Sequence, residues 1–210
     1  MGYAGTADSW AALFPNDLVP KIIDLVLECW NTFHKPSADE LEVPITRRFC
    51  VHLRGQKDRS RLPFNIVHES EELKEGSGEL LGRIDLRLVH GFRDDVYFAI
   101  ECKRLNVVSN GKRSSLAGDY VEKGMMRFIT GKYAGGLDKG GMLGYVMDGN
   151  VSDAIDSVKG AINSRSTDLA MPSGTSLSAC AIRADLDHVK QTSHQLSGKM
   201  FFIYHLFVGL

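Results

Sequence analysis

The sequence predicts an α/β fold in which one central mixed β-sheet is flanked by helices. Three observations carry this. Two adjacent runs, residues 82–88 and 96–103, alternate apolar and polar side chains with period two, as half-buried strands do. Helical apolar spacing precedes them and returns after them. Further apolar runs at 142–147 and 200–209 supply later strands. The order is therefore helices, three strands, helix, strand, helix, two strands. A chain of 210 residues with no internal repeat reads as one domain, 1–210.

Residues 1–15 are small and polar without a period, a loose lead-in. Asp17 is placed to cap a first helix, on which Leu18, Ile22, Leu25, Val26 and Phe33 follow helical spacing through Trp30. Pro20 is tolerated in its first turn. Ser37, Ala38, Asp39 and Glu40 have the form of a capping box. They open a second helix through Leu41, Ile45, Phe49 and Leu53, with Pro44 as a kink or as the true start. This helix carries Glu42, Arg47 and Arg48. Beyond it lies a basic run, Arg54, Lys57, Arg59 and Arg61, opposed only by Asp58. A solvated loop and a phosphate-contacting surface are the two readings of that run.

Residues 64–68 read as a strand that ends in an acidic, Gly-bearing stretch, 69–79. In the next strand Ile84, Leu86 and Leu88 share one face, and Arg83, Asp85 and Arg87 the other. In its partner, Val96, Phe98, Ile100 and Cys102 point one way, and Tyr97, Ala99, Glu101 and Lys103 the other. The polar link 90–95, with one Gly, suits a hairpin. Residues 106–115 form a basic loop with Lys112 and Arg113. Residues 119–133 form a helix with Tyr120, Gly124, Arg127 and Phe128 on roughly one face. Gly135-Gly136 and Gly140-Gly141 bracket a turn, and 142–147 is a buried strand because it lacks alternation. Ser152 or Asp153 caps a helix to about Asn163, 164–178 is a loop, and 179–186 and 200–209 are the last strands, separated by His188, Gln191, His194 and Gln195.

Bulk properties narrow the function. A net charge of −1 means that any polyanion must be met by a local patch. The four cysteines, Cys29, Cys50, Cys102 and Cys180, lie far apart without CxxC spacing, as expected of reduced thiols in a cytoplasmic protein. The longest apolar run, 200–210, is interrupted by His205 and too short to span a bilayer, so no membrane role is expected. The start matches a loose myristoylation pattern, but no basic cluster follows. The seven histidines are scattered in no zinc-ligand spacing.

Pairing the two central strands brings Asp85 beside Glu101 and Lys103. A D/E-x-K triplet alone is weak, since ordinary composition yields about one in a chain this long; Glu72-Leu73-Lys74 is such a decoy in a polar stretch. Glu101 and Lys103 instead end a core strand, where burial is costly unless they are paired or hold an ion. Three ionisable groups at the ends of two core strands point to a functional site.

Asp85, then Glu101-Cys102-Lys103 sixteen residues on, preceded by a helical Glu42 and followed by a helix, resembles the PD-(D/E)XK nuclease superfamily. The resemblance implies a restriction-endonuclease-like core of order α-β-β-β-α-β over residues 38–147, with extra C-terminal strands. Ile84 stands where that family has its Pro. The 120–128 helix and the Tyr204-His205-Leu206 ending are similar to nuclease-like proteins of bacterial anti-phage defence. The resemblance further implies that Asp85 and Glu101 bind Mg²⁺, with Mn²⁺ able to substitute and the Cys102 carbonyl as a further ligand. Lys103 would orient the attacking water and Glu42 would complete the site. Arg47, Arg48, Arg54, Lys57, Arg59, Arg61, Lys112, Arg113 and Arg127 are the candidate nucleic-acid contacts, and Tyr120 a candidate support. The expected substrate is DNA. With no separate recognition domain, specificity would come from a partner protein or a homo-oligomer. The alternatives are a non-catalytic nucleic-acid-binding or scaffold subunit of a defence complex, and an RNA-directed nuclease.

Overall fold

A computed structural model describes residues 14–74, 76–91, 95–134, 137–196 and 198–210. Most of the expected lead-in, the middle of the 90–95 link and the Gly135-Gly136 pair lie outside the described residues. Helices α1 (Leu18–Thr32) and α2 (Glu42–Arg59) precede strands β1 (Phe64–Leu73), β2 (Leu80–His90) and β3 (Tyr97–Leu105). A short hairpin, β4 (Val107–Ser109) and β5 (Lys112–Ser114), leads into α3. That helical stretch comprises Ala117–Asp119, a π-helical Tyr120–Met125 and Met126–Ile129. Strand β6 (Lys139–Val146), helix α4 (Val151–Ser164) and strands β7 (Ser178–Ala179), β8 (Val189–Leu196) and β9 (Lys199–Gly209) complete the chain.

Seven strands form one mixed sheet in the order β1-β2-β3-β6-β9-β8-β7. β3, β6 and β9 run parallel at its centre, and the outer pairs are antiparallel. Parallel neighbours need long crossovers. Helix α3 lies between β3 and β6, and α4 lies between β6 and β9. Helices α1 and α2 bury Ile22, Trp30, Phe49 and Leu53 with Phe98, Ile100 and Tyr145 of the sheet. On the opposite face, α3 and α4 bury Tyr120, Phe128, Val158 and Ile162 with Ala99, Met142 and Phe207. The C-terminal strand is thus an interior member of the sheet.

Several local expectations are corrected. Asp17 occupies the N-cap position of α1 without capping through its side chain, which meets Lys21 at 3.2 Å instead. α2 begins at Glu42 rather than at Ser37, which places Pro44 in the first turn, where its missing N–H has no helical partner to lose. It also continues to Arg59, so Arg54, Lys57 and Arg59 are helical. β1 extends to Leu73 and takes in part of the acidic stretch; Glu72 accepts a hydrogen bond from the Tyr97 hydroxyl at 2.7 Å. The 106–115 loop contains the β4–β5 hairpin, and α3 ends at Ile129.

Gly140 and Gly141 are not in a turn but inside β6, all of whose residues are buried. A Cβ at Gly140 would lie 2.5 Å from Phe128 Cε1, and one at Gly141 would lie 3.0 Å from Phe98 Cε1. Rings on both faces therefore occupy the space that side chains would need. The cap of α4 is Asn150, whose side chain accepts from the Asp153 N–H at 3.2 Å. Finally, the strand expected at 179–186 shrinks to Ser178–Ala179, and the stretch expected to be a connection holds β8.

Candidate functional site

The site forms where the sheet opens. The β2–β3 ladder runs from Val89↔Tyr97 to Leu86↔Ile100 and goes no further. Asp85 and Glu101 would be the next opposed pair. Instead the Asp85 carboxylate accepts a hydrogen bond from the Cys102 N–H at 2.7 Å, so a side chain takes the role of a strand carbonyl. The β1–β2 pairing also skips Glu69 and Asp85, between His68↔Leu86 and Ser70↔Ile84, without a change of register, and Glu69 has φ 50. This distortion corrects the expected face. Leu86 and Leu88 pack toward α1 and α2, whereas Ile84 packs toward α3.

Into this opening project Glu101, 1% exposed, and Lys103, 9% exposed. The Lys103 ammonium donates to Glu101 Oε1 at 2.7 Å, to the Cys102 carbonyl at 2.8 Å and to Glu42 Oε1 at 3.0 Å. Three donor protons meet three oxygens, which satisfies the ammonium. Glu42 is the first residue of α2, where a carboxylate suits the helix dipole. Its Oε2 accepts from the Arg104 N–H at 3.0 Å, which ties α2 to the end of β3. Arg127 approaches from α3, with Nε 3.4 Å from Glu101 Oε1. Its guanidinium lies over the Tyr133 ring and hydrogen-bonds the Tyr133 hydroxyl, which in turn donates to the Arg83 carbonyl.

Charge follows burial. Desolvation, reinforced by Asp85, pushes the Glu101 carboxyl up to about 8, against the pull of Lys103 and Arg127. Desolvation also raises Asp85, with Lys103 and the Cys102 N–H opposing. Burial disfavours the Lys103 charge, but Glu101, Glu42 and Asp85 together outweigh it and hold the ammonium above its usual value. The cluster is thus a charged lysine beside a Glu101 carboxyl that retains a proton toward neutral pH.

The donor chemistry suits a hard divalent cation. Carboxylate and carbonyl oxygens are the ligands that Mg²⁺ prefers. Glu101 Oε2 is buried with no hydrogen-bond partner among the described residues. Among those residues, however, no group of three or more His, Cys, Asp or Glu side chains is gathered as a metal cluster. The Lys103 ammonium makes the Glu101, Glu42 and Cys102 contacts that the family resemblance gives to a metal.

The other candidates are dispersed. Arg48 pairs with Glu40 at 2.7 Å, Arg47 lies 3.8 Å from Glu69, and Arg54 Nε donates to the Ile66 carbonyl at 2.7 Å. Lys57 pairs with Asp58. At ~1.5 Å per residue, Arg59 lies about 25 Å along α2 from Glu42. Arg113 meets Asp148 at 2.8 Å and also Asp153, while Lys112 is exposed on β5. Of the nine candidate cations, Arg127 is the one paired with Glu101.

Two supports escape sequence reasoning. Tyr133 reads as the last residue of a helix, with nothing to mark its contact with Arg127. Gly124 is a weak signal on an inward helical face. A Cβ there would overlap Met142 Cε and lie 3.5 Å from Lys103 Cγ, so its absence lets α3 close over the lysine. Deeper on the α3 side, Tyr120 hydrogen-bonds His205 at 3.0 Å, His205 bonds Thr192 at 2.9 Å, and Thr192 bonds His194 at 2.8 Å. His194 reaches the Leu169 carbonyl at 2.7 Å. Both ring nitrogens of each histidine are engaged, and burial holds His205 down to about 3, so it packs as a neutral ring.

Comparison with models of known protein families, with curated proteins and with solved structures finds no match. The site's meaning therefore rests on its own geometry. Among the described residues no helix is long and apolar enough to cross a membrane.

Proposed function

We propose that the chain is a metal-dependent nuclease of the PD-(D/E)XK type that hydrolyses DNA phosphodiester bonds as a cytoplasmic defence or restriction effector. The observation that supports it is the buried Lys103 ammonium, held by Glu101, Glu42 and the Cys102 carbonyl where Asp85 interrupts the sheet. A buried, mutually perturbed acid–acid–lysine group where two core strands part is costly to a fold and useful to a catalyst. Asp85, Glu101 and the Cys102 carbonyl would hold Mg²⁺ or Mn²⁺. That ion, when bound, lowers the pKa of a water and offsets phosphate charge. Lys103, released from part of its carboxylate contact, donates to the attacking water or the phosphate oxygens. Glu42 fixes the lysine's position, and Arg127 orients Glu101 while facing the substrate side. A partner protein or a homo-oligomer supplies sequence choice.

One observation favours a second reading. Lys103 already pairs with one oxygen of Glu101 and one of Glu42, as it would in a nucleic-acid-binding subunit that never takes a metal. Incubating the protein with supercoiled, linear and single-stranded DNA and with RNA, in Mg²⁺, Mn²⁺ or EDTA, decides between them. Metal-dependent DNA cleavage is the expected result. Cleavage of RNA alone would reassign the substrate, and binding without cleavage would favour the second reading.

A further inference from the structure

On the outer side of α3 lies an open groove of about 460 Å³, lined by Glu122, Lys123, Met126, Arg127, Thr130 and Lys132. Three of these six residues are cations. The groove's one acid, Glu122, is engaged by Arg165 from the end of α4. Lys123 leans on Asp119 at 2.9 Å but keeps 65% of its side chain exposed. Lys123 and Arg127 stand one turn apart, so their side chains are neighbours on one helix face. Arg127 is shared between groove and site, with its Nε also contacting Glu101 Oε1. By contrast, the basic run lies at the far end of α2 and just beyond it, with Arg54 and Lys57 engaged within the fold.

We propose that this groove, and not the basic run of α2, carries the phosphodiester backbone of the nucleic-acid strand beside the phosphate to be cleaved. The inference rests on the nuclease reading for the role of the neighbouring site, but its binding chemistry stands apart from it. Lys123 and Lys132 neutralise successive backbone phosphates, and Arg127 hands the strand from groove to site. Contacts of this kind position a strand without reading its sequence. They release counterions and so make affinity salt-dependent.

The test is binding of a fluorescent single-stranded oligonucleotide in EDTA, followed by anisotropy over a salt series. Wild type is compared with Lys123→Gln/Lys132→Gln and with Arg59→Gln/Arg61→Gln, all checked by thermal melting. The groove variant is expected to lower the log–log salt slope by about 1.4, or roughly 0.7 per lost single-strand phosphate contact, with about tenfold weaker binding. The α2 variant is expected to keep the wild-type slope. An unchanged slope in the groove variant, a slope lost only in the α2 variant, or no binding by wild type would each overturn the inference. The nuclease reading fails separately: a chain that binds through the groove yet never cleaves with metal would keep this inference and lose that one.

Discussion

Asp85 accepts the backbone N–H of Cys102 at 2.7 Å, so a β2 side chain replaces the ladder bond that β2 and β3 no longer make. The same carboxylate contributes to the field around Lys103 and Glu101. Structure and candidate chemistry therefore meet in one residue. Asp85→Ala leaves a buried N–H without a partner, and denaturant unfolding should show a loss of about 1–3 kcal/mol. Asp85→Asn keeps an acceptor and should lose distinctly less stability. It should nevertheless abolish calorimetric Mg²⁺ binding, and unaltered metal affinity would mean that another acid holds the ion.

Removing the lysine should expose the cost of the cluster. Lys103→Met leaves Glu101 buried beside Asp85 without its ammonium, and a broken buried pair of this kind costs about 3–5 kcal/mol. The full cost applies above about pH 8, where Glu101 is ionised, and the loss should be smaller below it, where Glu101 holds a proton. In a double-mutant cycle, adding Glu101→Gln should restore much of the loss. Additive effects would show that the two side chains do not act as a pair.

The raised carboxyl sets a pH dependence with a definite sign. Burial lifts the folded Glu101 carboxyl to about 8, from an ordinary value of 4.5. Between those values the folded state holds a proton that the unfolded state has released, so stability falls as pH rises through that window. Urea midpoints should therefore decline from about pH 5 to about pH 8. Glu101→Gln should flatten the decline, and an equal slope in the variant would place the titrating group elsewhere.

Glycine positions separate tight packing from packing that can yield. Gly140→Ala drives a methyl to 2.5 Å from the Phe128 ring edge within β6, and should cost about 1–3 kcal/mol. At Gly124 the nearest atom is the flexible end of Met142, so Gly124→Ala should cost less. Melting temperatures in the reverse order would contradict this packing.

The parts of this arrangement that follow simple periodicity were legible in the sequence. Period two located β2 and β3 and the polar face that carries Asp85, Glu101 and Lys103, although Asp85 and Glu101 lie within those strands rather than at their ends. Glu42 was legible as an acid on the preceding helix, although its helix starts later than a capping box suggests. What escaped notice breaks the usual code. β8 turns Thr192 and His194 inward, where the hydrogen-bonded chain through His205 makes polar burial tolerable, so it does not read as a strand. Gly140 and Gly141 look like a turn because nothing local reveals the rings of Phe128 and Phe98 above and below them. The basic run of α2 was conspicuous in sequence yet lies far from the site, whereas Lys123 and Lys132 are unremarkable in sequence and line the groove beside Arg127.

The central claim is that Glu101, with Asp85 and Lys103, forms a metal-dependent phosphodiester-hydrolysing site. Its most direct test is Mg²⁺-dependent nicking of supercoiled DNA by wild type and by Glu101→Gln, after both are shown to melt cooperatively. The prediction is nicking by wild type that EDTA abolishes and that the variant loses by about a hundredfold or more. Equal nicking by a folded Glu101→Gln protein would contradict the claim.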